Sequence, residues 1–197
     1  MPRMTKEKAR RQPIPAGPPP DEAKLREAAL VHLARFAATE VGLRRVLERK
    51  VDRWARRAEA EGLDTTLAAG ARALAAQVAR QMVTLGAVDD AAFAMARARR
   101  LAKAGRSRRA IAAHLAGKGV AREVAAAALP EEELDAALAQ CRRRRIGPFA
   151  PAPMEREARL KAMGALARAG FGRDVAEAAL DMAPEEAAER LFRLKQG

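Results

Sequence analysis

Four arginines recur every fourth residue at Arg45, Arg49, Arg53 and Arg57, with Arg44 and Arg56 alongside. On a helix of ~3.6 residues per turn they fall in one row, roughly 200° away from the apolar stripe Leu43, Leu47 and Val51. Such a helix can bury one side and present guanidinium groups on the other. Guanidinium is a planar, permanently charged donor fork that suits phosphate and carboxylate oxygens. The alternative is a solvated face on which Glu48 and Asp52 serve as local partners.

A second cationic cluster, Arg99, Arg100, Lys103, Arg106, Arg108 and Arg109, spans a helix end, a turn and the start of the next helix. A helix dipole disfavours positive charge at its N-terminus, so Arg108 and Arg109 read as functional rather than stabilising. Lys118 and the run Arg142, Arg143, Arg144 and Arg145 complete the candidate phosphate- or filament-binding set. The run equally suits a helix C-terminus. Arg97 lies near the Phe93–Leu101 face and is expected to pair with Asp89 or Asp90.

Enzymatic readings find little support. Asp89-Asp90 fits a helix cap better than a pair of catalytic carboxylates. Gly117-Lys118-Gly119 lacks both the glycine five positions earlier, where Ala112 stands, and a Ser or Thr after the lysine, so it is no phosphate loop. Ser107 has no histidine beside it in sequence. His32 and His114 read as ordinary helix residues. The lone Cys141 excludes an internal disulfide and a cysteine-based zinc site. No catalytic residue, metal site or cofactor is expected.

These side chains need elements to position them. The chain has 197 residues, 49% of them hydrophobic, but 51 are alanine and only 37 (about 19%) are Leu, Ile, Val or Phe. With a net charge of +13 and pI near 11.1, that balance alone points toward disorder. Aromatic residues make up 3%, which excludes a β-sandwich or barrel. Periodicity decides for helices. Asp21 caps a helix to about Ala38, with Leu25, Ala29, Leu33 and Phe36 on one face. Thr39 or Glu40 opens a second helix to about Glu61, whose Trp54 reads as core. A third, about Ala71 to Leu85, is expected to bury Leu74, Val78, Met82 and Leu85. Gly86 stops it. Asp89-Asp90 open a helix ending at Gly105, Ser107 caps the next, and Arg122–Leu129 is short. Pro130 and Glu131 to Glu133 are expected in the first turn of a helix ending in Arg142–Arg145. Three helices, at about 154–169, 172–181 and 184–194, follow a Gly/Pro linker at 147–153.

The chain repeats itself. Residues 119–129 match residues 170–180 at seven of eleven positions. Ser107, Ile111, Leu115 and Lys118 align with Thr39, Leu43, Leu47 and Lys50. The reading is all-α: an elongated tandem array of three-helix repeats in three copies, at 21–88, 89–129 and 130–197. A basic, proline-rich tail over residues 1–20 is expected to be disordered. Units this small bury their apolar faces against neighbours, and alanine, the strongest helix former, lets helices approach closely.

The order of motifs resembles the bacterial recombination regulator RecX family. Gly86-Ala87-Val88-Asp89-Asp90-Ala91-Ala92-Phe93-Ala94 is similar to its "G-[IVY]-[ID]-D-D-x-x-[FY]-A" element, and residues 105–119 are similar to its "G-x-S-x-x-x-I-x-x-x-L-x-x-K-G" helix. Leu166 to Phe171 resembles its "L-x-R-x-G-F" element, and Arg142–Phe149 a signature of proteobacterial members. The chain departs from the family in having no tyrosine and in its basic start. The resemblance implies a protein that lies in the groove of a RecA filament on DNA and restrains ATP hydrolysis and strand exchange.

The residues themselves point to a basic helical surface with almost no aromatic platforms, hence to phosphates or acidic protein rather than base stacking. The expected partners are a RecA-type recombinase filament and single- or double-stranded DNA through its phosphates, with no membrane. A cytoplasmic monomer is expected. The main alternative is a helix-turn-helix or non-specific DNA-binding protein acting without a recombinase. An adaptor that uses the neutral last repeat is a third reading.

Overall fold

Alanine-rich segments hold helical backbone at little entropic cost, and glycines or side-chain caps such as Asp21, Asp89 and Ser107 bound several of them. The computed structural model describes residues 15–196. Among them are ten α-helices and no strand: α1 (Glu22–Leu33), α2 (Glu40–Ala60), α3 (Leu67–Thr84), α4 (Asp90–Lys103), α5 (Arg108–Gly117), α6 (Arg122–Ala128), α7 (Leu134–Arg144), α8 (Arg156–Arg168), α9 (Arg173–Asp181) and α10 (Pro184–Gln196). A 3-10 turn at Gly147–Phe149 lies within the Gly/Pro linker. The fold is all-α and is consistent with an array of helical repeats. Of the tail expected over residues 1–20, residues 1–14 lie outside the described residues, while residues 15–20 run without helix and Pro20 is buried.

The chain divides into two compact units. One takes in residues up to Arg35 and Leu43–Gln81; the other holds Phe36–Gly42 and Met82–Gly197. The first is built on Leu25, Leu43, Leu47, Val51 and Val78, with Ala29, Ala58, Ala71, Ala75 and Ala79 buried among them. Each fully buried leucine contributes ~1.5–3 kcal/mol of transfer free energy. The alanines add less but leave room for neighbouring helices.

Two apolar expectations are corrected here. Helix α1 ends at Leu33, so Phe36 falls outside it and is 59% exposed. Leu85 lies past the end of α3 and is 70% exposed; the inward face of that helix is carried by Ala71, Ala75, Val78, Ala79 and Met82. Continuing a 3.6-residue period past a helix end predicts burial where the chain has already turned.

In the second unit α4, α5 and α6 enclose Ala94, Ala98, Ile111, Leu115, Val120 and Ala125. Helices α7 to α10 enclose Leu138, Cys141, Leu166, Phe171, Leu180 and Leu191. One joint occurs twice in this unit. Thr39, at the start of α2, donates its hydroxyl to the Lys118 carbonyl at 2.6 Å, and its Oγ1 accepts the Gly42 amide. Ser107, the cap of α5, donates to the Ala169 carbonyl at 2.7 Å, and its Oγ accepts the Ala110 amide. The next backbone amide is held by a carboxylate each time: Glu40 N–H by Asp90 Oδ1 at 2.9 Å and Arg108 N–H by Glu133 Oε2 at 2.7 Å. Two otherwise orphaned helix N-termini are thus satisfied by the ends of other helices.

The joints require glycine. Gly119 has φ +82° and Gly170 φ +94°, where a side chain is strained. A Cβ on Gly119 would stand 2.4 Å from Val41 Cβ, and one on Gly170 2.6 Å from Ser107 Oγ. Val41 and Arg109, the residues two past each capping hydroxyl, face the two glycines.

Candidate nucleic-acid interface

Helix α2 places the four arginines as its periodicity predicts. Leu43, Leu47, Val51, Trp54 and Ala58 are buried on one side, while Arg45, Arg49, Arg53 and Arg57 are exposed. At ~1.5 Å rise per residue the row is about 18 Å long. The acids that could neutralise it are engaged elsewhere. Asp52 accepts from Arg72 of α3, at 3.1 Å from Nε and 2.8 Å from Nη2. Glu48 lies 3.5 Å from Arg44. Among the described residues Arg49, Arg53 and Arg57 have no ion pair, so their guanidinium groups face solvent with their charge uncompensated.

The second unit brings together part of the other cluster. Arg99, Arg100, Lys103, Arg106, Arg108 and Arg109 are exposed. Arg108, however, donates through Nη1 to the carbonyls of Pro130 at 2.6 Å and Glu131 at 2.7 Å. The Glu133 carboxylate sits at the α5 N-terminus, accepting the Arg108 amide, and offsets the positive side chain that the helix dipole would otherwise disfavour. Arg109 lays its aliphatic stem against Gly170. Arg143 donates to the Ala104 carbonyl at 3.4 Å and to the Gln140 side chain. That brings one arginine of the Arg142–Arg145 run to the end of α4, close to Lys103 and Arg106 in sequence.

Helix α7 starts at Leu134, with Glu133 at its cap position, so Pro130 and Glu131 lie outside its first turn. The carbonyls of Pro130 and Glu131 serve Arg108 instead. Arg145 closes α7 in the left-handed conformation, φ +54°. Lys118 caps α5, and its carbonyl belongs to the Thr39 joint.

The remaining polar residues have structural positions. Asp89 caps α4 by accepting the Ala92 amide, and Asp90 holds Glu40. Arg97 therefore meets neither acid. Its Nε donates to His114 Nε2 at 3.0 Å, which makes His114 the acceptor and neutral. Burial first, then the Arg97 charge, holds the His114 pKa below its ordinary value. Burial pushes the Cys141 thiol up to about 11, the direction of an inert thiol. Short helix α6 offers an exposed Arg122 and Glu123 in its first turn and alanines after them, few groups for reading bases. Among the described residues no helix is long and apolar enough to cross a membrane, and no three metal-ligating side chains cluster.

Chemically, the exposed rows can bind phosphate or carboxylate oxygens as point charges and forks. Comparison with known proteins extends this. Residues 89–129 match the family model described as RecX, second three-helix domain. The regulatory protein RecX of Myxococcus xanthus (strain DK1622) is 39% identical over 166 residues, covering 81% of this chain and 86% of that protein. The regulatory protein RecX of Agrobacterium fabrum (strain C58 / ATCC 33970) is 32% identical over 167 residues, covering 84% and 86%. No solved structure matches the chain significantly. With identity of this level spread over four fifths of its length, and with its helices and glycine joints in the order described, the chain belongs to the RecX family of regulatory proteins.

Proposed function

We propose that this protein acts in the cytoplasm as a monomer that binds a RecA-type recombinase filament on DNA. Binding restrains ATP hydrolysis and strand exchange and so moderates recombination and repair. The observation that carries the reading is the exposed arginine face of α2, on which Arg49, Arg53 and Arg57 have no ion pair among the described residues and Asp52 and Glu48 are committed to Arg72 and Arg44, on a chain of the RecX family. Arg45, Arg49, Arg53 and Arg57 supply one set of phosphate or acid contacts. Arg99, Arg100, Lys103, Arg106 and Arg109, with Lys118, Arg142, Arg144 and Arg145, supply another. Arg108 and Arg143 contribute field more than free donors.

The test adds the protein to recombinase filaments preformed on single-stranded DNA and follows ATP hydrolysis and co-sedimentation. Hydrolysis should slow in proportion to the protein bound. If six or more phosphates are engaged, affinity falls by ~10³-fold or more between 50 and 200 mM salt. Unchanged hydrolysis with no co-sedimentation at moderate salt rules out the filament reading.

A further inference from the structure

The Arg97–His114 contact joins two groups that can each bind an anion, and no acid stands between them. Arg97 comes from the middle of α4 and His114 from α5, and both are half-buried where these helices pack. Arg97 donates Nε–H to His114 Nε2 at 3.0 Å and makes no ion pair among the described residues. Asp89 and Asp90, the acids at the start of α4, are held on the Ala92 and Glu40 amides. A neutral imidazole takes one N–H and leaves the guanidinium charge whole. The charges that act on His114 are all cations: Arg97 of α4, Lys118 one turn further along α5 and Arg106 of the turn joining the two helices. Helix α6, which also packs on α5, has Arg122 and Glu123 exposed in its first turn, and neither acts on His114. Arg106 and Lys118 are exposed, so the cluster is open to solvent on one side.

Protonating His114 in the free chain would break its bond to Arg97 and set two cations together. A phosphate reverses that balance. With phosphate oxygens beside it, His114 takes a proton from solvent at Nε2, the Arg97 bond opens, and both side chains donate to the anion. We propose that Arg97 and His114, with Arg106 and Lys118, form a nucleic-acid phosphate site in the second unit, in which His114 turns from acceptor to donor as the phosphate binds. The proposal rests on the reading that the basic face of this unit contacts a polyanion. It commits to nucleic acid because a phosphodiester stays ionised, offers an unesterified oxygen to each of the paired donors, and has neighbours along the strand for the exposed Arg100, Lys103 and Arg109. The linkage has a definite sign. Burial first, then the Arg97 charge, holds the His114 pKa below its ordinary value in the free chain, and a bound phosphate raises it. Binding therefore takes up a proton and strengthens as pH falls.

The experiment measures binding of a fluorescent oligothymidylate to the full chain by anisotropy, from pH 8 to pH 6 at constant ionic strength. In parallel, NMR follows the His114 ring with and without the strand. The chain has two histidines, so His32→Gln assigns the signal. Circular dichroism checks at each pH that helicity is kept. Raising the His114 midpoint by one pH unit corresponds to tenfold in affinity below it. Affinity should rise about fivefold or more from pH 8 to pH 6, the His114 titration should move to higher pH in the complex, and His114→Gln should flatten the pH response. Arg97→Gln should weaken binding at least threefold, and Arg106→Gln/Lys118→Gln about tenfold at 50 mM salt. A His114 titration that the strand leaves unmoved, beside a weakened Arg106→Gln/Lys118→Gln, overturns the phosphate site and leaves the basic face standing. An unmoved titration with parent affinity in that double variant overturns both, as does a parent chain that leaves the oligothymidylate unbound at 50 mM salt. A moved titration with parent affinity in Arg97→Gln overturns the paired-donor site.

Discussion

The joint at Gly119 makes a quantitative claim. Replacing Gly119 by alanine places a side chain at φ +82°, which costs ~1–2 kcal/mol for an L-residue. The new methyl also lands 2.4 Å from Val41 Cβ. That atom is fixed to the first turn of α2 and cannot rotate away, so backbone must shift, at an overpacking cost of ~1–3 kcal/mol. Gly119→Ala should then destabilise the protein by about 2–5 kcal/mol. Gly86→Ala is the internal control. Gly86 also has positive φ, at +70°, but nothing lies within 4 Å of its would-be Cβ, so only the ~1–2 kcal/mol conformational cost applies. Urea unfolding followed by circular dichroism separates the two through the midpoint, provided the slope m is unchanged. A double-mutant cycle adds a sharper constraint. Val41→Ala removes the two methyls that would stand 2.5 and 2.9 Å away but keeps the Cβ at 2.4 Å, so it should rescue Gly119→Ala only in part, whereas Val41→Gly removes all three clashes and should recover more of the loss. Equal losses for Gly119→Ala and Gly86→Ala would refute the steric reasoning.

Two further outcomes follow from the same unit. Ser107→Ala removes both the α5 cap and the donor to the Ala169 carbonyl. It should cost ~1–2 kcal/mol, with a comparable loss for Thr39→Ala, measured as shifts in the urea midpoint. His114 has a folded pKa below its unfolded value, so below about pH 6.5 the unfolded chain takes up a proton that the folded chain resists. Its contribution is intact above that pH and is lost as pH falls through the lowered folded pKa. His114→Gln, which can still accept from Arg97, should flatten the loss of stability between pH 7 and pH 5 in paired urea titrations.

Much of this molecule is local in sequence. Helix propensity, capping residues such as Asp21, Asp89 and Ser107, and the row Arg45 to Arg57 opposite Leu43, Leu47 and Val51 all depend on neighbours within a few residues. A 3.6-residue period encodes such relations directly. That period ceases to hold past a helix end, as at Phe36 and Leu85, and proximity along the chain does not fix charge partners.

Partners between helices belong to the tertiary structure. Nothing near Asp52 in sequence reveals that Arg72, twenty residues on, takes it from the arginine row. Nothing near Arg108 reveals the carbonyls of Pro130 and Glu131, and the Arg97–His114 pair displaces a more obvious match to Asp89. The repeat of Gly119 at Gly170 was visible as an identity, but its reason is the close approach of Val41 and of Ser107. Which side chains share a helix face follows from residue order alone, because helix geometry is set by the backbone. Which charges are tied to other helices and which stay exposed is a matter of packing, because it depends on contacts whose separation along the chain carries no periodic signal.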